Sequence, residues 1–259
     1  MTALYCYGMI EGHEPLPDLG PGIGDEGQVT GLAIEDHTAI VSPTTAAEIP
    51  ARRRQLRRHT QILEQAASSR TILPMRFGTI AASAEALVEA LSPRQGEIAT
   101  LMTRFQAHAE YGLRIALPAA ALMRLALEAN PWIARQHQAL HRRNALHGTA
   151  QIDFGRRVGD AVGAARRHAA RKIDRTIAPL ITEAHRHAPE GEEEILRMDL
   201  LVHDEKLPDL NRALNVLTET PLGEAQPQIR LVGPVPPYSF IDLRLTVDAA
   251  TIRQNGRAA

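Results

Sequence analysis

The segment that most constrains the fold of this chain is a proline-rich stretch near its carboxyl end, residues 233–243, which reads Gly-Pro-Val-Pro-Pro-Tyr-Ser-Phe-Ile-Asp-Leu. Its three prolines remove three backbone donors and fix φ, so the stretch is predicted to be extended rather than helical. Apolar and polar positions then alternate, which predicts a strand over 239–247. Tyr238 and Phe240 fall on the face opposite the aliphatic residues, which suggests a surface that another molecule covers.

The first half of the chain alternates between strand and helix patterns. Residues 2–10 are apolar on both faces, as in a strand covered on both sides. The helices are expected on one face of the resulting sheet, with Leu56 buried in the first of them. The glycine-rich loop at 20–24 lacks the Lys-Ser/Thr of a phosphate-binding loop and is predicted to be a flexible connection. The predicted strands are 2–10, 28–35, 38–42, 71–77 and 110–117, and the predicted helices are 50–68 and 83–107.

The second half is dominated by one long helical pattern over 153–187, with a kink or break expected near Pro179. Gly155, Gly159 and Gly163 recur every four residues in it, which suggests close packing against a neighbouring element. The patterns that follow predict a sheet that is apolar on one side only, typical of ferredoxin-like folds. The predicted elements are strands at 195–203, 228–232 and 239–247 and a helix at 207–218.

These patterns predict an α+β protein whose two domains have ferredoxin-like antiparallel sheets covered by helices. The predicted boundaries are an N-terminal α+β domain over 1–117, a helical linker region over 118–150, and a C-terminal ferredoxin-like domain over 151–259 that begins with the long helix.

Charge and composition exclude several classes of function. The 29 basic and 30 acidic residues leave a net charge of -1, which argues against a general nucleic-acid binder. The single cysteine, Cys6, forms no internal disulfide and suits a reducing compartment. We find no N-terminal signal and no apolar window of the roughly 18 residues that a membrane span needs. A cytoplasmic protein without a membrane segment is therefore predicted.

No pattern indicates catalysis, a metal or a cofactor. Cys6 lies inside an apolar strand, where its thiol is expected to be hidden and unreactive. His137 and His141 are four residues apart, but Arg142 and Arg143 beside them repel a cation, and no acidic residue is near. We therefore predict a protein that is not an enzyme and has no metal or cofactor.

The basic run Arg-Arg-Arg-Gln-Leu-Arg-Arg at 52–58 is the strongest local charge feature. It favours a solvated face or one that forms salt bridges with another protein. The alternative is a nucleic-acid-associated regulatory protein that uses this helix, since arginines contact phosphates well. Aromatic residues make up only 3% of the chain, however, and give single strands no stacking surface.

The run Leu-Pro-Met-Arg-Phe-Gly-Thr at 73–79 predicts a strand at a sheet edge, because Pro74 cannot donate to a ladder. Gly78 permits a backbone turn after it. Two interpretations remain open here: a strand that simply ends before a helix, or an edge at which Arg76 contacts a partner.

Three segments together resemble the GvpF/GvpL family of gas vesicle proteins: the opening strand Leu-Tyr-Cys-Tyr-Gly-Met-Ile at 4–10, the run at 73–79, and the proline-rich segment from Gly233. They occur in the order expected for the family and span nearly the whole chain. The resemblance implies a non-enzymatic accessory or minor structural protein that binds the hydrophobic shell protein and supports vesicle nucleation and assembly. It also implies a location at gas vesicles, with other gas vesicle accessory proteins as further partners and no nucleic acid. It does not separate the F branch from the L branch.

Six residues form the predicted partner contact, because aromatic anchors usually carry much of an interface's energy. The alternative is that the two C-terminal rings pack within their own domain. The six are Arg76, Phe77, Pro236, Pro237, Tyr238 and Phe240.

Overall fold

The computed structural model describes residues 2–24, 27–67, 70–143, 149–222 and 225–241, and these residues form two sheets covered by helices. The predicted α+β class with antiparallel sheets is confirmed. Internal contacts divide the chain into two compact units. The first unit comprises the described residues of 1–110 together with those from Pro234 onward, and the second comprises Tyr111–Gly233.

The sheet of the first unit has the strand order β2-β3-β1-β4, with β5 also paired to β1, and these pairs are antiparallel. The helix predicted over 83–107 is two helices separated by a 3-10 turn at Ser92–Arg94. Pro93 explains the interruption, because it has no N–H to donate. The elements are β1 (Ala3–Glu11), β2 (Thr30–Ile34), β3 (His37–Thr44), α1 (Arg53–Ala67), β4 (Ile72–Pro74), β5 (Ile80–Ala81), α2 (Ala84–Leu91) and α3 (Gln95–Phe105).

Strand β1 is the centre of the first unit and is buried on both faces, as predicted. A β-bulge shifts its register against β3 between Cys6 and Gly8. Tyr5 and Tyr7 point into a core cluster shared with α1. Met9, on the opposite face, is also fully buried, and α2 and α3 contact the strands without joining the α1 cluster. Helices therefore cover both faces, and the prediction that they lie on one face is wrong.

The second unit contains the other sheet, with strand order β7-β8-β6-β9. Strand β6 joins this sheet, although the predicted first domain ran to residue 117, because its ladder partners β8 and β9 lie far along the chain. The observed division therefore differs from the predicted ranges 1–117, 118–150 and 151–259. The elements are β6 (His108–Ala116), α4 (Ala119–Ala129), α5 (Pro131–Arg143), α6 (Thr149–Ile177), β7 (Glu183–Arg186), β8 (Glu194–His203), α7 (Leu207–Glu219) and β9 (Gln228–Val235).

Helix α6 ends at Ile177, just before Pro179, where a break was predicted. The end of the helix predicted over 153–187 is wrong, because Glu183–Arg186 form strand β7 and pair with β8. The prediction that the glycines of α6 pack closely against a neighbouring element is wrong at Gly155 and Gly159. A Cβ added at Gly155 or Gly159 would meet nothing within 4 Å, and both positions are exposed. No helix in the described ranges combines the length and apolarity needed to cross a bilayer.

The strand predicted over 239–247 is not observed at its start. Tyr238–Phe240 form a short 3-10 turn that packs in the first unit. The rest of that prediction, 242–247, lies outside the described residues. The extended backbone predicted for the proline run is present in β9, which includes Pro234.

Replacing Gly155 and Gly159 by alanine should stabilise the second unit. Each added methyl group enters open space, so the change removes the glycine helix penalty of about 1 kcal/mol per residue at no steric cost. Urea unfolding followed by circular dichroism should show the midpoint of the transition rising. Gly22→Ala is the contrasting control, because its Cβ would lie 2.3 Å from Ser42 Oγ and should lower the midpoint. Destabilisation by the α6 changes would contradict this account.

Candidate partner-binding surface

Segments far apart in sequence meet around one histidine of α1 in the first unit. The ring centroid of His59 lies 5.7 Å from Tyr5 and 5.7 Å from Tyr7, both on β1. It lies 5.6 Å from Phe77, beyond β4, and 6.3 Å from Tyr238 in the C-terminal turn. We call these five rings the His59 cluster. The three segments that carry the family resemblance therefore pack together in one place.

Hydrogen bonds fix the chemical state of the His59 cluster. The Tyr5 hydroxyl accepts a bond of 2.9 Å from the Gly78 backbone N–H and lies 2.9 Å from His59 Nδ1. We assign the Tyr5 proton to the bond with Nδ1, which leaves the proton of the neutral imidazole on Nε2. Burial lowers the pKa of His59 to about 4, and a weaker backbone interaction with Met75 opposes the shift. The histidine is therefore an uncharged core residue at neutral pH.

The turn after β4 presents a single exposed cation. The N–H and hydroxyl of Thr79 donate to the Arg76 carbonyl at 3.2 and 2.7 Å, and Gly78 has a φ of 87°. Residues 72–75 and 78–81 are buried, Phe77 is half-buried and Arg76 is exposed. The Arg76 guanidinium makes no ion pair or hydrogen bond with any residue that the structure describes. Arg76 thus extends from a fixed turn at the edge of the first sheet.

The C-terminal segment is covered by the chain itself. Phe240 is 4% exposed, Pro236 and Pro237 are buried, and Tyr238 packs on the α1 core cluster. Two bonds of 2.7 Å, from the Ser239 N–H and hydroxyl to the buried Glu110 carboxylate, hold the turn in place. The rings of Tyr238 and Phe240 therefore pack within their own unit, which was the alternative prediction. Whether these residues also contact a partner stays a prediction.

The loop at 20–24, which was predicted to be a flexible connection, is anchored to its neighbours by several hydrogen bonds. The Arg58 guanidinium donates to the Pro21 carbonyl at 2.9 and 2.6 Å and also to the Leu19 carbonyl. The Ile23 N–H donates to the Tyr7 hydroxyl at 2.8 Å. Gly22 allows the loop to approach β3, because a Cβ there would overlap the Ser42 side chain. The loop is thereby tied to both β1 and α1.

A cavity of about 880 Å³ lies between this loop and the N-terminal half of α1, and we call it the basic groove. Leu56 was predicted to be buried but is 41% exposed, because it lies one helical turn before the first buried residue of α1, His59. The groove is lined by Pro21, Gly22, Ile23, Gly24, Arg53, Arg54, Gln55, Arg57, Arg58 and Gln61.

Metal ligands and the one cysteine can be assessed among the described residues. They contain no group of three or more His, Cys, Asp or Glu side chains placed to hold a metal ion. Burial raises the pKa of the Cys6 thiol to about 12, so the nucleophilic thiolate is not formed at neutral pH. The buried polar groups of the first unit serve to hold the strands, helix and loops together.

Sequence reasoning missed His59 and the role of Arg58. A signal for His59 was present, because it lies four residues before Leu63 on the apolar stripe of α1. Arg58 could not be separated from the other arginines of its run, since its partners are backbone carbonyls of a loop 37 residues away.

Phe240→Ala should destabilise the first unit by about 3–5 kcal/mol, the usual cost of removing a buried phenylalanine ring. Urea unfolding followed by circular dichroism measures the change. The matched control is Val232→Ala on β9, which is 49% exposed and should stay within about 0.5 kcal/mol of the parent protein. A neutral Phe240→Ala would show that the C-terminal turn is not part of the packed core.

The stability of the protein should fall as the pH is lowered from 6.5 to about 4, because the unfolded chain protonates His59 in this range while the folded chain does not. The contribution is about 3 kcal/mol, from 1.36 kcal/mol per pKa unit. His59→Gln should flatten this part of the dependence when urea unfolding is measured at several pH values. His168→Gln, at an exposed position of α6, should leave it unchanged. An unaltered slope in His59→Gln would contradict the assignment.

Comparisons with known proteins show the family and the fold of the chain. The family model described as "Gas vesicle synthesis protein GvpL/GvpF" matches residues 3–242. Gas vesicle protein F of a Streptomyces species is 25% identical over 241 residues, which cover 92% of this chain and 99% of that protein. Gas vesicle protein F of Microcystis aeruginosa is 28% identical over 148 residues, covering 55% of this chain and 59% of that one. The crystal structure of GvpF from an Anabaena species superposes with a TM-score of 0.78 at 21% identity, covering 93% of this chain and 98% of that one, and shows the same fold. The chain therefore belongs to the GvpL/GvpF family of gas vesicle proteins.

Proposed function

We propose that this protein is a non-enzymatic accessory or minor structural protein that binds the hydrophobic gas vesicle shell protein and supports vesicle nucleation and assembly. It acts in the cytoplasm at the growing vesicle, together with other gas vesicle accessory proteins. Membership of the family supports a gas vesicle role.

The observation that carries this proposal is the exposed Arg76 on its fixed turn. The Tyr5 hydroxyl holds the Gly78 N–H, and Thr79 holds the Arg76 carbonyl, so the turn is formed before a partner arrives. A pre-formed turn loses little conformational entropy on binding. Its guanidinium suits carboxylates or carbonyl oxygens at the end of an apolar shell segment.

In this proposal the other five predicted contact residues mainly support the packing of the first unit. Phe77 and Tyr238 pack on His59, while Pro236, Pro237 and Phe240 are buried around the same end of the unit. Phe77 is half-buried and adds apolar area beside Arg76. Binding shell monomers in this way would cover apolar surface that otherwise drives uncontrolled association.

Arg76→Glu should lower the amount of shell protein that co-purifies with this protein by about tenfold or more, since the change reverses the charge at the contact. Co-expression with tagged protein, followed by quantification of the shell protein, measures the effect. Arg171→Glu makes the same charge change at an exposed position of α6 and should retain the shell protein. Circular dichroism of the purified variants confirms that both are folded. Equal recovery with Arg76→Glu and Arg171→Glu would refute the contact.

A further inference from the structure

We propose that the basic groove between the loop at 20–24 and helix α1 binds a short, extended acidic segment of a partner protein. This surface is distinct from the Arg76 turn, and the inference does not depend on the contact with the shell protein. It rests on the charge of the groove, on an unpartnered acceptor within it, and on its length and rigidity.

Positive charge is concentrated in the groove. Arg53, Arg54, Arg57 and Arg58 all line it, and no carboxylate is among the lining residues that the structure describes. The first turn of α1 contains no acidic residue, so the positive end of the helix dipole adds to the arginines. Arg58 bonds to backbone carbonyls and keeps its full charge. Such a surface attracts carboxylates and is unfavourable when it faces another basic surface.

One uncharged atom favours a peptide over a polyphosphate. Gln55 lines the groove, and its Oε1 is buried without a hydrogen-bond partner among the residues with described positions. This atom is an acceptor, and a buried acceptor without a donor is costly. A rotation of the half-buried Gln55 side chain presents this oxygen to the groove, where a bound peptide offers backbone N–H groups and a phosphodiester linkage offers only acceptors. The arginines and Gln55 together therefore match an acidic peptide.

The length of the groove matches a short segment. Residues 53–61 of α1 rise by roughly 12 Å, which is the length of about four extended residues. Asp18 and Glu64 line a neighbouring depression and place carboxylates beside the positive surface. A longer polyanion would meet this repulsion, but a short segment would not. The exposed Leu56 lies in the same stretch of α1 and offers contact to one apolar side chain of the partner.

The groove is also held in shape without a ligand. Arg58 ties Pro21 and Leu19 to α1, and the Tyr7 hydroxyl ties Ile23 to β1. The wall formed by the loop therefore needs little ordering when a segment binds, which favours affinity at a small interface.

Fluorescence anisotropy with the full chain tests the proposal. The probe is a fluorescein-labelled synthetic peptide with four consecutive glutamates followed by a leucine. Arg53→Glu with Arg57→Glu should weaken binding by about tenfold or more, because two attractive charges become repulsive. Gln55→Met should weaken it by about three- to tenfold through the lost hydrogen bond. Arg76→Glu should leave it unchanged, so that failure of this proposal and failure of the shell-protein contact are distinguishable.

The matched control is Arg167→Glu with Arg171→Glu, which makes the same charge change at the same helical spacing on an exposed face of α6. It should change the affinity by less than about twofold. Asp25 and Glu26 follow the loop in sequence but lie outside the described residues, and binding should persist or strengthen when they become Asn and Gln. Circular dichroism verifies the fold of each variant.

Four results would overturn the proposal. One is equal weakening in the α1 and α6 variants, and another is loss of binding when Asp25 and Glu26 are neutralised. A third is a single-stranded oligonucleotide of about 20 nucleotides that binds more tightly than the peptide and loses its affinity in the α1 variant, which would assign the groove to nucleic acid. The fourth is self-association of the parent protein that the α1 variant abolishes in size-exclusion chromatography, which would assign the groove to a second copy of this chain.

Discussion

The hydroxyl group of Tyr5 is the interaction on which the first unit most depends. It joins β1, which carries it, to the imidazole of α1 and to the backbone of the turn after β4 through two bonds of 2.9 Å. Removing that oxygen would leave the His59 Nδ1 and the Gly78 N–H without this partner inside the core, and buried polar groups are costly when unpaired. The desolvation that raises the pKa of Tyr5 also lowers that of His59, so both groups stay neutral and compatible with the apolar rings around them.

Strand β1 pairs with three other strands, packs against α1 and contains a bulge. Ordinary alternation places Tyr5 and Tyr7 on the α1 side. The register shift between Cys6 and Gly8 then places Ile10 on that side and Met9 on the opposite face. Gly8 is required beside it, because a Cβ there would lie 2.8 Å from the Leu73 carbonyl oxygen and 2.9 Å from Leu63. Tyr5 can therefore fix the Arg76 turn while Tyr7 fixes the glycine-rich loop. Two tyrosines on one face of β1 thus support both of the proposed binding surfaces.

Local periodicity predicted well the helices and strands whose buried face follows directly from their own apolar residues. Most of helix α6 and the doubly buried β1 follow directly from their apolar patterns, and the break at Pro179 follows from its missing N–H. The interruption at Pro93 has the same cause but was not predicted. The failures concern partners distant in sequence. Strand β6 pairs in the second sheet, and Tyr238–Phe240 turn into the core of the first unit, because ladder and packing partners that no local pattern reveals decide both. In the candidate site, too, local features were predicted and features that depend on distant partners were not. The edge position of β4, just before Arg76, agreed with the prediction from Pro74, whereas the burial of Phe240 and the anchoring of the loop at 20–24 depend on Glu110 and Arg58.

The distribution of charge in the first unit follows from this construction. Ionisable groups that face the core are kept neutral, as His59 and Tyr5 are, or are used for a hydrogen bond, as Glu110 is with Ser239. Arg76 and the arginines of the basic groove instead lie on a turn and a helix whose backbone is held by buried groups. An exposed side chain on a mobile loop would lose conformational entropy on binding, whereas one on a fixed turn or helix loses mainly its own rotamer freedom. A scaffold of this kind suits the proposed recognition of polar features next to apolar shell segments, since most rings of the His59 cluster are covered while Arg76 is exposed.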